Sequence, residues 1–178
     1  LSLAQAGAKV VLVEADLRRP KVPIYLEMSS MSEGLSELIS GSAKITSQTL
    51  KSKLHPYEST GLKVLPSGKV PPNPSELLGS EAMKKFLLKA EKDYDVVLMD
   101  SAPLLPVTDA AILSKMTGGV AIVVAVGKTT KPQLSAALGH IDAIGGRVLG
   151  FVMNKIPTKG VDAYRYRYSY KYGSYGAY

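Results

Sequence analysis

At 178 residues, 46% hydrophobic and 21% charged, the chain has ordinary globular composition and length enough for one domain with a sizeable core. The absence of cysteine excludes disulfides and thiolate metal sites, and the longest apolar run, Val120 to Val126, falls well short of the roughly 18 residues of a membrane span. A formal net charge of +7 suits a phosphate-rich ligand or an anionic membrane surface, and equally a generic basic surface, because the basic residues are scattered apart from Arg18-Arg19 and the C-terminal segment.

Leu1-Ser-Leu-Ala-Gln-Ala-Gly7 reads as a last helical turn stopped by glycine, so a strand and the start of this helix are expected upstream. In Val10-Val-Leu-Val-Glu-Ala-Asp-Leu-Arg-Arg-Pro20, four apolar residues run into two carboxylates and two guanidinium groups. Such a run predicts a parallel strand covered on both faces, and ligands of parallel sheets sit at the carboxyl ends of the strands. After a polar connection, Ser32 to Gly41 predicts a short amphipathic helix, with serine as N-cap, Leu35, Leu38 and Ile39 on one face, and glycine at its end. Residues 42–60 are polar, with Leu50 and Leu54 as a weak helical stripe.

Gly61 to Pro66 reads as a strand and Ser67 to Pro74 as a loop dense in proline and glycine. Ser75 and Ser80 are expected as N-caps of helices carrying Leu77 and Leu78, then Met83, Phe86, Leu87 and Ala90. Asp95 to Asp100 repeats the first design, a buried strand delivering a carboxylate. A helix through Val107 to Lys115 follows, then a strand over Val120 to Val126. Thr130 opens a helix with Pro132 in its first turn and Leu134, Leu138 and Ile141 on one face, and the strand Arg147 to Met153 ends at Asn154-Lys155. Strands alternating with helices predict a doubly wound, mostly parallel α/β sheet with helices on both faces. One domain is expected over residues 1–160, followed by a tail over 161–178.

If the strands ending at Glu14 and Asp100 are neighbours, Glu14, Asp16 and Asp100 converge on one point. Carboxylates at strand ends are a common way to hold Mg²⁺ beside phosphates, since a hard cation takes oxygen ligands from rigid positions. The same aspartates singly could do no more than cap the loops that follow. A nucleotide site also needs a phosphate cradle, and no G-x-x-x-x-G-K-[ST] run is present. Gly127-Lys128-Thr129 follows a strand and precedes a helix, but Ile122 stands where the first glycine belongs. Ser67-Gly68-Lys69 is followed by Val70-Pro-Pro, which forbids an immediate helix.

Val10 to Pro20 resembles the second Walker-type motif, and Val97 to Pro103 the Walker B motif, of the bacterial tyrosine kinases associated with capsular and exopolysaccharide synthesis. Pro72-Asn-Pro-Ser-Glu-Leu-Leu78, Leu105-Pro-Val-Thr-Asp109 and the tyrosine-rich C-terminus are similar to the same family, which places a P-loop upstream of a helix like Leu1 to Ala6. The resemblance implies a P-loop-type fold, ATP and Mg²⁺ as cofactors, Asp16 and Asp100 as magnesium-site carboxylates, and Asn154 as an adenine contact. It makes Glu14 a candidate base or metal-site partner for the attacking tyrosine, although the family pattern usually has Asp there. Ala102 replaces a common proline. Arg18 and Arg19 are expected to pair with phosphate, with an acidic neighbouring subunit, or with solvent alone.

Tyr164, Tyr166, Tyr168, Tyr170, Tyr172, Tyr175 and Tyr178 are seven of the ten tyrosines and alternate with Arg165, Arg167 and Lys171. From Asp162 onward there is no Val, Ile, Leu, Met or Phe, so the segment has little to bury. One face of an edge strand or a stacking surface for single-stranded nucleic acid would also use alternating tyrosines. The leading expectation is a set of phosphoacceptors. The implied activity is an ATP-dependent tyrosine autokinase on the inner face of the plasma membrane. Its expected partners are a membrane-embedded activator or fused transmembrane domain, neighbouring kinase subunits and a tyrosine phosphatase, but no nucleic acid. A partitioning or division-site ATPase and a non-catalytic phosphoacceptor module are the rivals.

Overall fold

The computed structural model describes residues 1–28, 33–41 and 45–157. Their contacts group into two compact units, Leu1–Met116 and a second beginning at Thr117.

The first unit runs α1 (Ser2–Gln5), β1 (Val10–Glu14), α2 (Val22–Tyr25), α3 (Leu35–Ser40), α4 (Ser47–Lys53), β2 (His55–Pro56), β3 (Lys63–Leu65), α5 (Pro74–Leu78), α6 (Glu81–Asp93), β4 (Val96–Asp100) and α7 (Asp109–Ser114). Its sheet has the order β2-β3-β1-β4, with β1 parallel to both β3 and β4 and only β2 antiparallel. Alternation along β1 divides the core into two layers, as a strand covered on both faces requires. Val11 and Val13 join Leu35, Leu38, Ile39, Leu50, Phe86 and Leu113 in one cluster, while Val10 packs with Ala4, Val22, Leu62 and Val64 in the other. Met83, Phe86, Leu87 and Ala90 are the buried face of α6, which opens on Ser80 accepting the Met83 N–H at 3.2 Å.

Three local expectations change. The N-cap of α3 is Gly34, and Ser32 lies outside the described residues. A β-carbon on Gly34 would stand 2.1 Å from the Pro66 carbonyl oxygen, so the close approach of the chain after β3 decides that residue. Ser75 is not an N-cap; Asn73 holds that position before Pro74, which supplies the fixed φ suited to a first helical residue. The strand β4, last in the order of its sheet, is only partly covered, with Leu98 45% exposed.

In the second unit, β5 (Val120–Ala125) pairs in parallel with β6 (Val148–Asn154), and α8 (Lys131–Ala143) connects them. Thr130 caps α8 by accepting the Gln133 N–H, Pro132 lies in the first turn, and Ala137 and Ile141 are its buried residues.

Candidate active site

The pairing of β1 with β4 places Glu14 opposite Asp100, and the Ala15 N–H donates to the Asp100 carbonyl at 2.7 Å. Asp16 follows directly, so the three predicted carboxylates lie at two adjacent parallel strand ends. Asp100 is exposed as a whole residue, yet the protein around its carboxyl displaces water. That desolvation, followed by the negative charges of Glu14 and Asp16, raises the Asp100 pKa above the ordinary carboxylate value.

Glu14 is fully buried. Its Oε1 accepts the main-chain N–H groups of Lys21 at 2.5 Å and Val22 at 2.6 Å, and its Oε2 accepts that of Ser67 at 3.1 Å. The longer arm of glutamate carries the carboxylate away from the strand tip to the start of α2 and the loop after β3. That loop is held from its other side by α3: Leu35 N–H donates to the Pro66 carbonyl, while Ser36 N–H and Oγ both donate to the Ser67 carbonyl, each at 2.8 Å. Glu37 completes the seam by accepting from Lys69 N–H at 3.0 Å and Gly34 N–H at 2.7 Å. The Ser67 and Lys69 donors are thus engaged by carboxylates and are not turned to a phosphate.

Asp16 is half-buried and accepts the main-chain N–H groups of Arg18 at 3.1 Å and Arg19 at 3.0 Å, both at Oδ1. The Arg18 side chain, 37% exposed, pairs with Asp109 on α7. Its Nε donates to Asp109 Oδ2 at 2.7 Å and its Nη2 to Asp109 Oδ1 at 3.0 Å. Ser75 closes a triangle, donating to Asp109 Oδ1 at 2.7 Å and accepting from Arg18 Nη2 at 2.9 Å. These bonds, Arg18 foremost, outweigh the burial of Asp109 and hold its carboxyl below the usual range.

In the second unit, the Lys128 and Thr129 N–H groups both donate to the Ala125 carbonyl, at 3.1 and 2.9 Å, and Gly127 takes φ +74° to close the turn. This turn offers no cradle. Asn154 ends β6, its Oδ1 accepts the Lys155 N–H at 2.7 Å, and Lys155 sits in the left-handed region at φ 57°. The seven tail tyrosines lie outside the described residues.

Among the described residues no group of three or more His, Cys, Asp or Glu side chains is arranged to hold a metal ion. Two carboxylates at strand ends nevertheless fit Mg²⁺, which keeps several waters and takes one or two protein carboxylates together with substrate phosphates. Asp16 Oδ2 has no protein hydrogen bond among the described residues, and Asp100 carries the electrostatic strain of two neighbouring negative charges.

No protein-family model matches the chain. It is 36% identical over 154 residues to the tyrosine-protein kinase ptk of Acinetobacter johnsonii, covering 86% of this chain and 20% of that protein. It is 32% identical over 168 residues to the putative tyrosine-protein kinase CapB of Staphylococcus aureus, covering 94% of this chain and 71% of that protein. The chain belongs to the bacterial tyrosine-protein kinases. The kinase domain of the Escherichia coli tyrosine kinase ETK superposes with a TM-score of 0.78 at 31% identity, over 86% of this chain and 58% of that one. The septum site-determining protein MinD of Pyrococcus horikoshii, complexed with Mg-ADP, shares the P-loop NTPase-like fold at a TM-score of 0.65 and 19% identity.

For this tyrosine-kinase family member, the motifs around Arg18, Ser75 and Asp109 are visible in the sequence, but their convergence is not. Asp109 stands at the start of α7, where a carboxylate is ordinary helix chemistry. The signal that distinguishes it is complete burial, which no sequence pattern carries.

Proposed function

We propose that the chain is the catalytic region of an ATP-dependent protein-tyrosine autokinase that phosphorylates the seven tyrosines between Tyr164 and Tyr178. The observation that supports it best is the convergence of Asp16 and Asp100 at adjacent parallel strand ends in a member of this family. Residues 1–160 serve as the kinase domain and 161–178 as its substrate tail. Mg²⁺ bound with ATP would neutralise charge on the phosphoryl group. Asp16 and Asp100 would hold that cation from the protein side.

Phosphoryl transfer forms a bond from the tyrosine oxygen to the γ-phosphorus and breaks the bond to the departing ADP. The hydroxyl proton, from a group with pKa near ~10, goes to a carboxylate. With both Glu14 oxygens engaged by main-chain N–H groups, the proton goes to one of the two strand-end aspartates, Asp16 or Asp100, at an oxygen that does not hold the cation. Glu14 then acts as a fastener for the loops around the site, and Arg18 as part of an internal clamp.

The tail carries +3 from Arg165, Arg167 and Lys171 and −1 from Asp162, a balance of +2 before the terminal carboxylate. Each phosphate adds roughly −1.5 to −2, so two reverse its sign. An unmodified tail is attracted to the carboxylates of a neighbouring subunit and a phosphorylated one is repelled. The assembly this implies fits control of capsular or exopolysaccharide export by an autokinase held at the inner membrane face by an activator and reset by a phosphatase. Among the described residues no helix is long and apolar enough to cross a membrane.

The test is mass spectrometry of the full-length protein after incubation with Mg²⁺ and ATP, with light scattering in parallel. Several phosphates within 164–178, together with dissociation as their number rises, are expected. Phosphate confined to other tyrosines, or a size independent of phosphate count, contradicts the reading.

A further inference from the structure

We infer that Asp109 and Ser75 are positioning residues for the metal-site carboxylates, acting through Arg18 on the turn that aims Asp16. This rests on Asp16 and Asp100 holding Mg²⁺.

Arg18 is held at one end and holds at the other. Its guanidinium is gripped by both oxygens of Asp109 and by Ser75, while its main-chain N–H donates to Asp16 Oδ1. With Arg19 N–H on the same oxygen, the turn fixes the Asp16 carboxylate through Oδ1 and leaves Oδ2 without a protein hydrogen bond among the described residues. On the other side of the site, the Ala15 N–H to Asp100 carbonyl bond locks the two strand tips together. Asp16 therefore stands between two cross-links. The ladder ties β1 to β4 before it, and the Arg18–Asp109 pair ties the following loop to α7, the helix after Asp100.

Burial sharpens the assignment. Asp109 is 0% exposed, whereas the Arg18 side chain is 37% exposed. A surface arginine serving only as a solvated cation would not need a carboxylate withdrawn wholly from water. Both Asp109 oxygens are matched by the planar fork of the guanidinium, a geometry that fixes orientation as well as distance. Ser75 arrives from α5, so three elements remote in sequence meet on one side chain. Three of the five guanidinium N–H donors are spent on Asp109 and Ser75.

The experiment uses the full-length protein and its Asp109→Asn, Arg18→Gln, double and Ser75→Ala variants. Two readouts are taken: Mn²⁺ binding in the presence of ADP by electron paramagnetic resonance, and the Mg²⁺ concentration for half-maximal autophosphorylation. Circular dichroism at the assay temperature establishes the folded fraction. Outer-shell partners of metal ligands are worth 10- to 100-fold in affinity, so Asp109→Asn and Arg18→Gln are each expected to weaken Mn²⁺ binding about 10-fold and raise the Mg²⁺ requirement in parallel. The double variant should be no worse than either single one, because one clamp is broken in all three. Ser75→Ala should shift both readouts in the same direction by less, and it serves as the test if the charge variants do not fold.

Unchanged Mn²⁺ binding in folded Asp109→Asn or Ser75→Ala protein overturns the inference. So does a defect confined to Arg18→Gln that appears in the ATP KM alone, which assigns Arg18 to phosphate. Asp100→Asn separates the two levels: if that variant binds Mn²⁺·ADP like the unaltered protein, the metal-site reading has failed, whereas loss of binding there with intact binding in the clamp variants means that only the clamp has failed.

Discussion

The carboxylate of Glu14 accepts the main-chain N–H of Val22 at 2.6 Å with both groups buried, so the last residue of β1 is fastened to the first residue of α2. Lys21 and Ser67 complete the set of donors. The carboxylate thus fastens the end of β1 to the start of α2 and to the loop after β3.

Glu14→Gln should therefore lower stability far more than chemistry. The amide oxygen can keep Lys21 and Val22, but the amide nitrogen faces the Ser67 N–H, setting donor against donor. Hydrogen bonds to a charged group contribute about 1.5–3 kcal/mol each, so a loss of about 3 kcal/mol is expected by thermal or denaturant unfolding. Phosphorylation per folded molecule should stay within about tenfold, a barrier change near 1.4 kcal/mol. Complete loss of activity with an unchanged melting temperature would restore Glu14 as the base.

The Arg18–Asp109 pair predicts an acid limb in stability. Asp109 has its pKa lowered by Arg18, so it contributes stability above the ordinary carboxylate range and loses it as pH falls through the depressed value. Asp109→Asn should flatten that limb. Breaking a wholly buried pair costs about 3–5 kcal/mol, and with Arg18 37% exposed about 2 kcal/mol is expected near neutral pH. Denaturant midpoints from pH 3 to 7 would decide it.

Asp100 carries the opposite sign. Its pKa is raised, so between the ordinary carboxylate value and the raised one the folded state binds more protons, and stability falls as pH rises through that window. Asp100→Asn should gain stability over the unaltered protein above the window and not below pH ~4. Added Mg²⁺ should stabilise the unaltered protein and leave the variant unmoved, by preferential binding to the folded state. Equal Mg²⁺ stabilisation of both would contradict the assignment.

Much of this architecture is legible without coordinates. Apolar runs locate β1, β4, β5 and β6, and helical spacing identifies the buried face of α6, because burial on a strand or helix imposes a period. The clustering of Glu14, Asp16 and Asp100 follows from two runs of the same design, provided that they pair. What periodicity cannot convey is where a polar side chain ends. Ser75 has the sequence context of a cap and bonds Asp109 instead, Arg18 pairs with Asp109, and Glu14 reaches past the strand tip to three N–H groups. Each is a tertiary contact between motifs that look independent. Gly34 belongs with them: its need for space comes from Pro66, on the chain after β3.

Gly34→Ala tests that approach. The new β-carbon would meet the Pro66 carbonyl oxygen at 2.1 Å and the Gly68 nitrogen at 2.6 Å, main-chain atoms that cannot rotate aside. Overpacking of this kind costs about 1–3 kcal/mol or more. A melting temperature equal to that of the unaltered protein would mean that the seam between α3 and the Ser67 loop is looser than described.

The most direct measurement of the central claim is the phosphotyrosine content of the full-length protein, unaltered and as Asp100→Asn, purified from cells lacking other tyrosine kinases and incubated with Mg²⁺ and labelled ATP. Label accumulating on tyrosines 164–178 of the unaltered protein, and at least 100-fold less on a folded Asp100→Asn variant, is the predicted result, the scale expected when electrostatic support of the transition state is removed. Equal labelling of the two proteins would contradict it.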